Sequence, residues 1–247
     1  MIADISFALI RAYATAWMRR HCRVLLFGQE QLESLPRGRR VYVVLNHSTS
    51  YDAVALFHLS ANRFGIVMDR EAFQVPVIGR LLTAAQFIAL DKLVSEDAVQ
   101  RAVAAVRAGT PLLVSLTEGH TAIGRPGYER PRSGGMRIAH LAGADIFPVF
   151  VMIEEGRRRT RSFRGREGST EIFTTFQDTL YFVSFLPPIP ASSFLPEQTL
   201  ESYRAVAEEL QKQADRERER FTRMLSEKRE LYEGIRRRGG SSVRVTW

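Results

Sequence analysis

Short apolar runs alternate with segments of helical periodicity over most of the chain. Residues 24–27 and 41–45 are rich in β-branched and other apolar side chains, and a polar, turn-forming stretch separates them. Both are therefore predicted to be buried strands. The same criteria predict strands at 64–68, 87–90, 111–116, 146–153, 171–176 and 180–186, and helices at 52–60, 76–84, 95–107 and 134–141. This alternation predicts a single layered α/β domain with a mixed central β-sheet flanked by helices.

Two stretches depart from that regular alternation. Pro148 interrupts the apolar run 146–153, and because proline has no N–H to donate, it predicts an edge strand or a bulge. The stretch 157–166 is rich in arginine and has no apolar period, so it is predicted to be a basic loop.

The start of the chain has an amphipathic pattern. Residues 2–18 place apolar side chains at helical spacing, with Tyr13 and Trp17 close to the pair Arg19 and Arg20. This composition suits a helix that lies in the plane of a membrane interface. It equally suits a helix that packs on the domain's own core, and the segment alone does not decide between the two.

The end of the chain is strongly charged. Residues 199–237 have helical character but only a thin apolar stripe, which predicts an accessory helical element outside the core. The last residues combine turn-formers and charge without a period, so their order is expected to be poor. The predicted organisation is a membrane-association helix at 1–22, the main domain at 23–195, a charged helical extension at 196–238 and a flexible tail at 239–247.

Composition narrows the classes of partner. The 247 residues are 45% hydrophobic, enough for one sizeable core, and 35 Lys and Arg against 27 Asp and Glu give a net charge of +8. Such a surface attracts nucleic acid or anionic lipid. Nucleic acid is not expected, because the basic residues are not interleaved with base-stacking aromatics. The one cysteine, Cys22, predicts a reducing compartment, and no apolar run approaches the ~20 residues of a membrane-spanning helix.

The polar stretch 46–52, with the sequence NHSTSYD, follows a predicted strand and leads into a predicted helix. Its histidine, His47, and its carboxylate, Asp52, suit general-base chemistry. Asp52 can accept from one ring nitrogen, fix the tautomer and stabilise the imidazolium, while the other nitrogen takes a proton. On this pair alone, a chance spacing with Asp52 as a helix N-cap is the favoured interpretation.

Further blocks along the chain change that balance. After Asn46, His47 and Asp52 come a segment leading through Pro76-x-x-Gly79, the stretch 87–92 ending in Asp91-Lys92, the block 116–119 (LTEG), the basic helix entry 132–139 and the block 147–149 (FPV). In this order, over about 24–190, they resemble the lysophosphatidate acyltransferase-like family of glycerolipid acyltransferases, whose first block is His-x4-Asp.

The resemblance implies a reaction and its participants. His47 deprotonates a lipid hydroxyl with Asp52 as its partner, and the hydroxyl attacks the thioester of acyl-coenzyme A or acyl-carrier protein. No covalent acyl-enzyme, metal or further cofactor is implied. Phosphatidate made from lysophosphatidate at the cytoplasmic face of the inner membrane, by a peripheral or monotopic enzyme, is the expected activity.

The resemblance also implies an acceptor pocket. Glu118 and Gly119 would line it, with the glycine permitting close backbone approach. Lys92 and Arg132 stand where the family places cations that bind the acceptor's phosphate. His120 joins this group, since it can bind phosphate when protonated, although a polar loop histidine is the modestly favoured interpretation.

The third block departs from the family pattern of Phe-Pro-Glu-Gly-Thr-Arg. Thr117 replaces its proline, and His120-Thr121 replaces its Thr-Arg, so one expected phosphate-binding cation is missing. A different acceptor, such as an amino-acid lipid or a glycolipid, therefore stays open beside lysophosphatidate, and a non-catalytic basic binding protein ranks below both. His58 and His140 are interpreted as packing or surface residues.

Overall fold

The computed structural model describes residues 2–33, 38–46, 52, 56–57, 63–90, 95–117, 131–154, 158–164, 170–176, 179–194, 198–237 and 243–244. The helices in this part of the chain are α1 (Ile2–His21), α2 (Glu30–Glu33), α3 (Ile78–Ala84), α4 (Ser95–Arg107), α5 (Gly134–Ala142), α6 (Leu200–Glu227) and α7 (Arg229–Arg237). Short 3-10 helices span Arg70–Gln74 and Ala191–Ser193.

The strands are β1 (Cys22–Phe27), β2 (Arg40–Val44), β3 (Gly65–Asp69), β4 (Ile88–Leu90), β5 (Leu112–Ser115), β6 (Asp145–Ile153), β7 (Arg158–Arg164), β8 (Thr170–Phe176), β9 (Thr179–Phe185) and β10 (Val243–Arg244). Eight of them form one sheet in the order β10-β1-β9-β6-β2-β5-β3-β4. Strands β6 and β9 are antiparallel, and the other neighbours are parallel. The predicted mixed sheet flanked by helices is confirmed.

Both faces of this sheet are buried, which explains the continuous apolar runs of its central strands. Alternate residues of β9 show the two faces: Leu180 and Phe182 join one core cluster, whereas Tyr181, Val183 and Phe185 join the other. Helices α4, α5, α6 and α7 contribute to the first cluster, and α1 and α3 contribute to the second. The carboxyl ends of the parallel strands are thus framed by helices on both sides.

Of the two alternatives predicted for Pro148, the edge strand is wrong, because β6 lies inside the sheet between β9 and β2. The Pro148 carbonyl accepts from the Leu186 N–H at 3.0 Å. The N–H that proline lacks would point to the same side, toward β9. Regular β6–β9 pairing begins at Val149 with Phe185, and an isolated antiparallel bridge joins Ile146 to Ile189. The register therefore slips by one residue across Pro148, as the predicted bulge requires.

Two other expectations for the chain's polar segments are also wrong. The predicted basic loop at 157–166 contains β7, which pairs with β8 in a separate two-stranded antiparallel sheet. Val243 and Arg244, within the predicted flexible tail, pair with Leu25 and Leu26 of β1. In both places the backbone forms hydrogen bonds with a neighbouring strand. Such pairing does not require a periodic pattern of apolar side chains.

The charged segment at the end of the chain belongs to the core, contrary to the prediction. One stripe of α6 is buried against the sheet, and Phe221 is fully buried in contact with the rings of Phe27, Phe150 and Phe182. The other buried residues of this stripe are Tyr203, Ala207, Leu210 and Ala214. The stripe is thin because small and large residues alternate along it, not because the helix is detached.

Helix α1 packs on the domain and also exposes apolar side chains. Phe7 contacts the rings of Phe57 and Phe64, and Ala14 and Met18 are buried in the same cluster. On another face of the helix Ile2, Ile5, Leu9 and Tyr13 are exposed. No helix among the described residues has the length and apolar character to cross a bilayer.

Candidate active site

The carboxyl ends of β2 and β5 bring two of the sequence blocks together. These strands are parallel neighbours, and their pairing extends past their ends, because the Leu116 N–H donates to the Val44 carbonyl at 2.8 Å. Asn46 follows β2 and Thr117 follows β5, so both lie at the same edge of the sheet. In open α/β sheets this edge is where ligands bind.

Asn46 begins the stretch that carries the predicted base, and one backbone group and one side chain hold its amide. Its Nδ2 donates to the Val151 carbonyl oxygen of β6 at 3.0 Å. Its Oδ1 accepts from Arg218 Nη2 of α6 at 3.3 Å. Arg218 is itself held by Asp215, with 3.0 Å between Nη1 and Oδ1. The amide is therefore fixed in one orientation by both of its polar atoms.

Asp52, at the other end of this stretch, is only 1% exposed. The hydroxyl of Tyr181 donates to its Oδ1 at 2.7 Å, and Tyr181 is itself fully buried on β9. A buried carboxylate is stable only with hydrogen-bond donors around it, and a phenol is a strong one. The structure therefore contains a buried, oriented acceptor where the sequence predicts the partner of the general base.

Of the remaining predicted site residues, the structure describes only Arg132. His47, Lys92, Glu118, Gly119 and His120 lie outside the described residues, so their placement stays a prediction. The backbone N–H of Arg132 donates to the Leu116 carbonyl oxygen at 2.6 Å, and this ties the start of the α5 segment to the end of β5. Arg132 is exposed there, beside the strand that leads to Glu118.

Thr117, at the same edge of the sheet, stands where the family pattern has a proline. It is 6% exposed, and its buried Oγ1 has no hydrogen-bond partner among the described residues. A buried hydroxyl without a partner costs roughly 1–3 kcal/mol, whereas a proline at this position would carry no such group. Within the described part of the chain, this edge therefore carries a buried hydroxyl without a partner, a group that the family's proline would not supply.

The Pro-x-x-Gly block forms a tight turn between the first 3-10 helix and α3. A Cβ on Gly79 would stand 1.9 Å from the Phe73 carbonyl oxygen, so only glycine fits. Val77 in the middle of the turn has a φ of 67°, which is strained for a β-branched residue. The turn presents Val75, Val77 and Ile78 to solvent.

Other candidate groups have structural roles. His140 Nδ1 is 2.6 Å from the Tyr203 hydroxyl and its ring contacts Phe194, which confirms its interpretation as a packing residue. Cys22 is buried, and burial raises the pKa of its thiol. Among the residues that the structure describes, no three His, Cys, Asp or Glu side chains group closely enough to hold a metal ion.

Sequence reasoning missed Tyr181 and Arg218. Tyr181 had a usable signal, because a buried tyrosine hydroxyl in an apolar strand normally needs a partner. Arg218 had none, since α6 contains many arginines and the sequence does not distinguish the one that faces the sheet edge.

Comparisons with known proteins identify a family and a similar fold. The family model described as "Acyltransferase" matches residues 28–152. Among curated proteins the sequence finds no match. The crystal structure of the 1-acyl-sn-glycerophosphate (LPA) acyltransferase PlsC from Thermotoga maritima is similar in fold, with a TM-score of 0.62 and 16% sequence identity. The likeness covers 87% of this chain and 81% of that one.

Proposed function

Because the chain belongs to the acyltransferase family, we propose that it transfers a fatty acyl group from a thioester to a lysophospholipid hydroxyl at a membrane surface. The observation that supports this most strongly is the buried Asp52, oriented by Tyr181 and five residues beyond His47. A sheet edge that fixes Asn46 and Asp52 provides the anchors that an acid–base pair requires.

The proposed reaction is a direct transfer. His47 takes the proton of the acceptor hydroxyl while the oxygen attacks the thioester carbonyl carbon, and Asp52 stabilises the imidazolium. The tetrahedral intermediate collapses with cleavage of the carbon–sulfur bond. The leaving thiolate takes the proton back from the imidazolium, so the base is regenerated and no acyl-enzyme forms. Acyl-coenzyme A or acyl-carrier protein is the co-substrate.

Lysophosphatidate is the proposed acceptor, and phosphatidate the product. Arg132 and Lys92 provide cations for a phosphate, and Glu118, Gly119 and His120 complete the proposed pocket. The solved structure that shares this fold carries the name of a 1-acyl-sn-glycerophosphate acyltransferase. One observation favours a second candidate, an acceptor with an additional polar group, because the buried Thr117 hydroxyl has no partner among the described residues.

The proposed location is the cytoplasmic face of the inner membrane, with α1 as the contact. Its exposed Ile2, Ile5, Leu9 and Tyr13 recur every three or four residues and therefore lie on one face. The net charge of +8 favours anionic lipid. This arrangement is that of an interfacial helix, with one face on the protein and another on the lipid.

A panel of acceptors with one acyl-coenzyme A tests the proposal. Purified protein should release free thiol and form a two-chain lipid, identified by mass, only when a lysolipid is present. Lysophosphatidate should be the best substrate. Faster turnover of an amino-acid lipid or a glycolipid would select the second candidate, and no acyl transfer to any lipid from either acyl-coenzyme A or acyl-carrier protein would overturn the function.

A further inference from the structure

The stretch between Asn46 and Asp52 is held at its two ends by side chains from the far end of the chain. Asn46 is held by Arg218, and Asp52 is held by Tyr181. Both holding residues lie beyond residues 28–152, the region that matches the family model. The two contacts span 172 and 129 residues of sequence, so they form only when the whole sheet and α6 have assembled.

The two contacts approach from opposite faces of the sheet. Tyr181 belongs to the core cluster on the α1 side, whereas α6 contributes its buried residues to the cluster on the other side. Asn46 stands at the edge between them and also donates to the Val151 carbonyl of β6. Asn46 and Asp52 are therefore each held by a contact from a different face of the sheet.

We infer that Tyr181 and Arg218 are positioning residues for the acid–base pair, acting through Asp52 and Asn46. This inference rests on the proposed function, because it assigns to both residues the orientation of the proposed base, His47. Neither residue is expected to touch substrate.

The two contacts differ in strength. The bond from Tyr181 to Asp52 is short, fully buried and made to a charge-bearing acceptor, which places it among the stronger hydrogen bonds of proteins. The bond from Arg218 to Asn46 is 3.3 Å long, and the side chain of Arg218 is 41% exposed. Removal of the phenol should therefore have the larger effect.

The replacement Tyr181→Phe removes the donor and keeps the ring in the core. We expect kcat to fall about tenfold to hundredfold, the range for losing a hydrogen bond to a buried charge, with KM for acyl-coenzyme A nearly unchanged. Without the phenol, the Asp52 carboxylate interacts more strongly with an imidazolium. The acidic limb of the pH profile of kcat/KM should therefore move to higher pH, a shift that a purely structural role would not produce.

Tyr232→Phe is the matched control. Tyr232 is also buried in the core, and its hydroxyl has no hydrogen-bond partner among the described residues. This variant should keep kcat within about twofold of the parent protein and leave the pH profile in place. The thermal midpoint of both variants, measured alongside, shows whether either has lost its fold.

Arg218→Gln should lower kcat by about threefold to tenfold, and Arg218→Lys should recover part of that loss, since one donor is restored. Arg216→Gln is its control, because Arg216 lies on the same helix with its side chain 70% exposed. It should have no effect on kcat.

The outcomes separate this inference from the proposed function. An active parent protein whose Tyr181→Phe variant stays within threefold at every pH, or changes no more than Tyr232→Phe, overturns the inference alone. A parent protein that acylates no lipid overturns the proposed function and, with it, the inference.

Discussion

Helices α1 and α6 pack on opposite faces of one sheet and use their apolar residues in opposite ways. Helix α6 is highly charged, yet its apolar stripe is buried from Tyr203 to Phe221. Helix α1 has more apolar side chains than its packing needs, and only Phe7, Ala14 and Met18 among them are buried. Four others are at least 55% exposed: Ile2, Ile5, Leu9 and Tyr13.

The comparison shows that the number of apolar residues in a helix does not measure its part in the core. The spacing of the apolar residues is the better measure, because one stripe of alternating small and large residues suffices to cover the face of a sheet. A row of exposed apolar residues beyond that stripe indicates a second contact. Among its described residues α6 exposes only Leu200 in this way, whereas α1 exposes a row of four, for which we propose a membrane.

The largest expected effect is on α6. Phe221→Ala leaves a cavity between Phe27, Phe150 and Phe182, and should reduce the free energy of unfolding by about 3–5 kcal/mol. Equilibrium unfolding in urea measures the loss. Leu200→Ala, an exposed apolar residue of the same helix, is the control and should change little. If Phe221→Ala and Leu200→Ala reduced the free energy of unfolding equally, the apolar stripe of α6 would not be part of the core.

The next effect concerns lipid and leaves folding nearly intact. Replacing Ile5 and Leu9 together by serine should weaken binding to vesicles of anionic phospholipid by roughly 2 kcal/mol, about thirtyfold, because two apolar side chains no longer enter the interface. Stability should change by less than about 0.5 kcal/mol per site. Leu231→Ser on α7, also exposed, should leave vesicle binding unchanged. If the double variant bound the vesicles as tightly as the parent protein, α1 would not be the membrane contact.

A smaller effect tests how a charged helix covers apolar rings. The guanidinium of Arg220 lies over Phe27 and Phe221, with distances of 5.7 and 5.5 Å to the ring centres. Arg220→Gln should cost about 0.5–1 kcal/mol of unfolding free energy through loss of these contacts. Arg216→Gln serves as the reference on the same helix. If Arg220→Gln loses no more unfolding free energy than Arg216→Gln, the contacts of Arg220 with these rings do not stabilise the fold.

The smallest effect is expected where neither helix is involved. Glu96 of α4 pairs with Arg137 of α5 on the surface, and the hydrogen bond from Arg137 lowers the pKa of Glu96 from its ordinary value of 4.5. The stabilisation from this ion pair is therefore present at a pH above the ordinary pKa of Glu96 and is lost as the pH falls below that pKa. The thermal midpoints of parent and Arg137→Gln should therefore differ slightly at neutral pH and converge in acid. A gap that widens in acid would contradict this sign.

Much of the fold followed from the sequence, because most elements of the sheet are buried and have a clear period. The helix Ser95–Arg107 has the predicted bounds, and the predicted strands lie within a residue or two of those observed. The errors have a common cause. Pro148, β7 and the burial of α6 all depend on which strand or helix becomes a neighbour, and a local pattern does not contain that information.

The candidate site was predictable to a similar extent. The ordered blocks identified Asp52, and the structure adds its burial and its donor. Tyr181 and Arg218 are more than a hundred residues away, and they reach the site only through the pairing of β6 with β9 and the packing of α6. No spacing rule within one segment relates them to it.

The most direct test of the central claim compares two histidines in one assay. With acyl-coenzyme A and a lysolipid acceptor, His47→Ala should lower kcat/KM by about 10²–10⁴, the usual contribution of a general base. His140→Ala should keep nearly full activity, because His140 contacts Tyr203 and Phe194 and takes no part in the proposed reaction. A His47→Ala enzyme that keeps more than about a tenth of the activity would contradict the account.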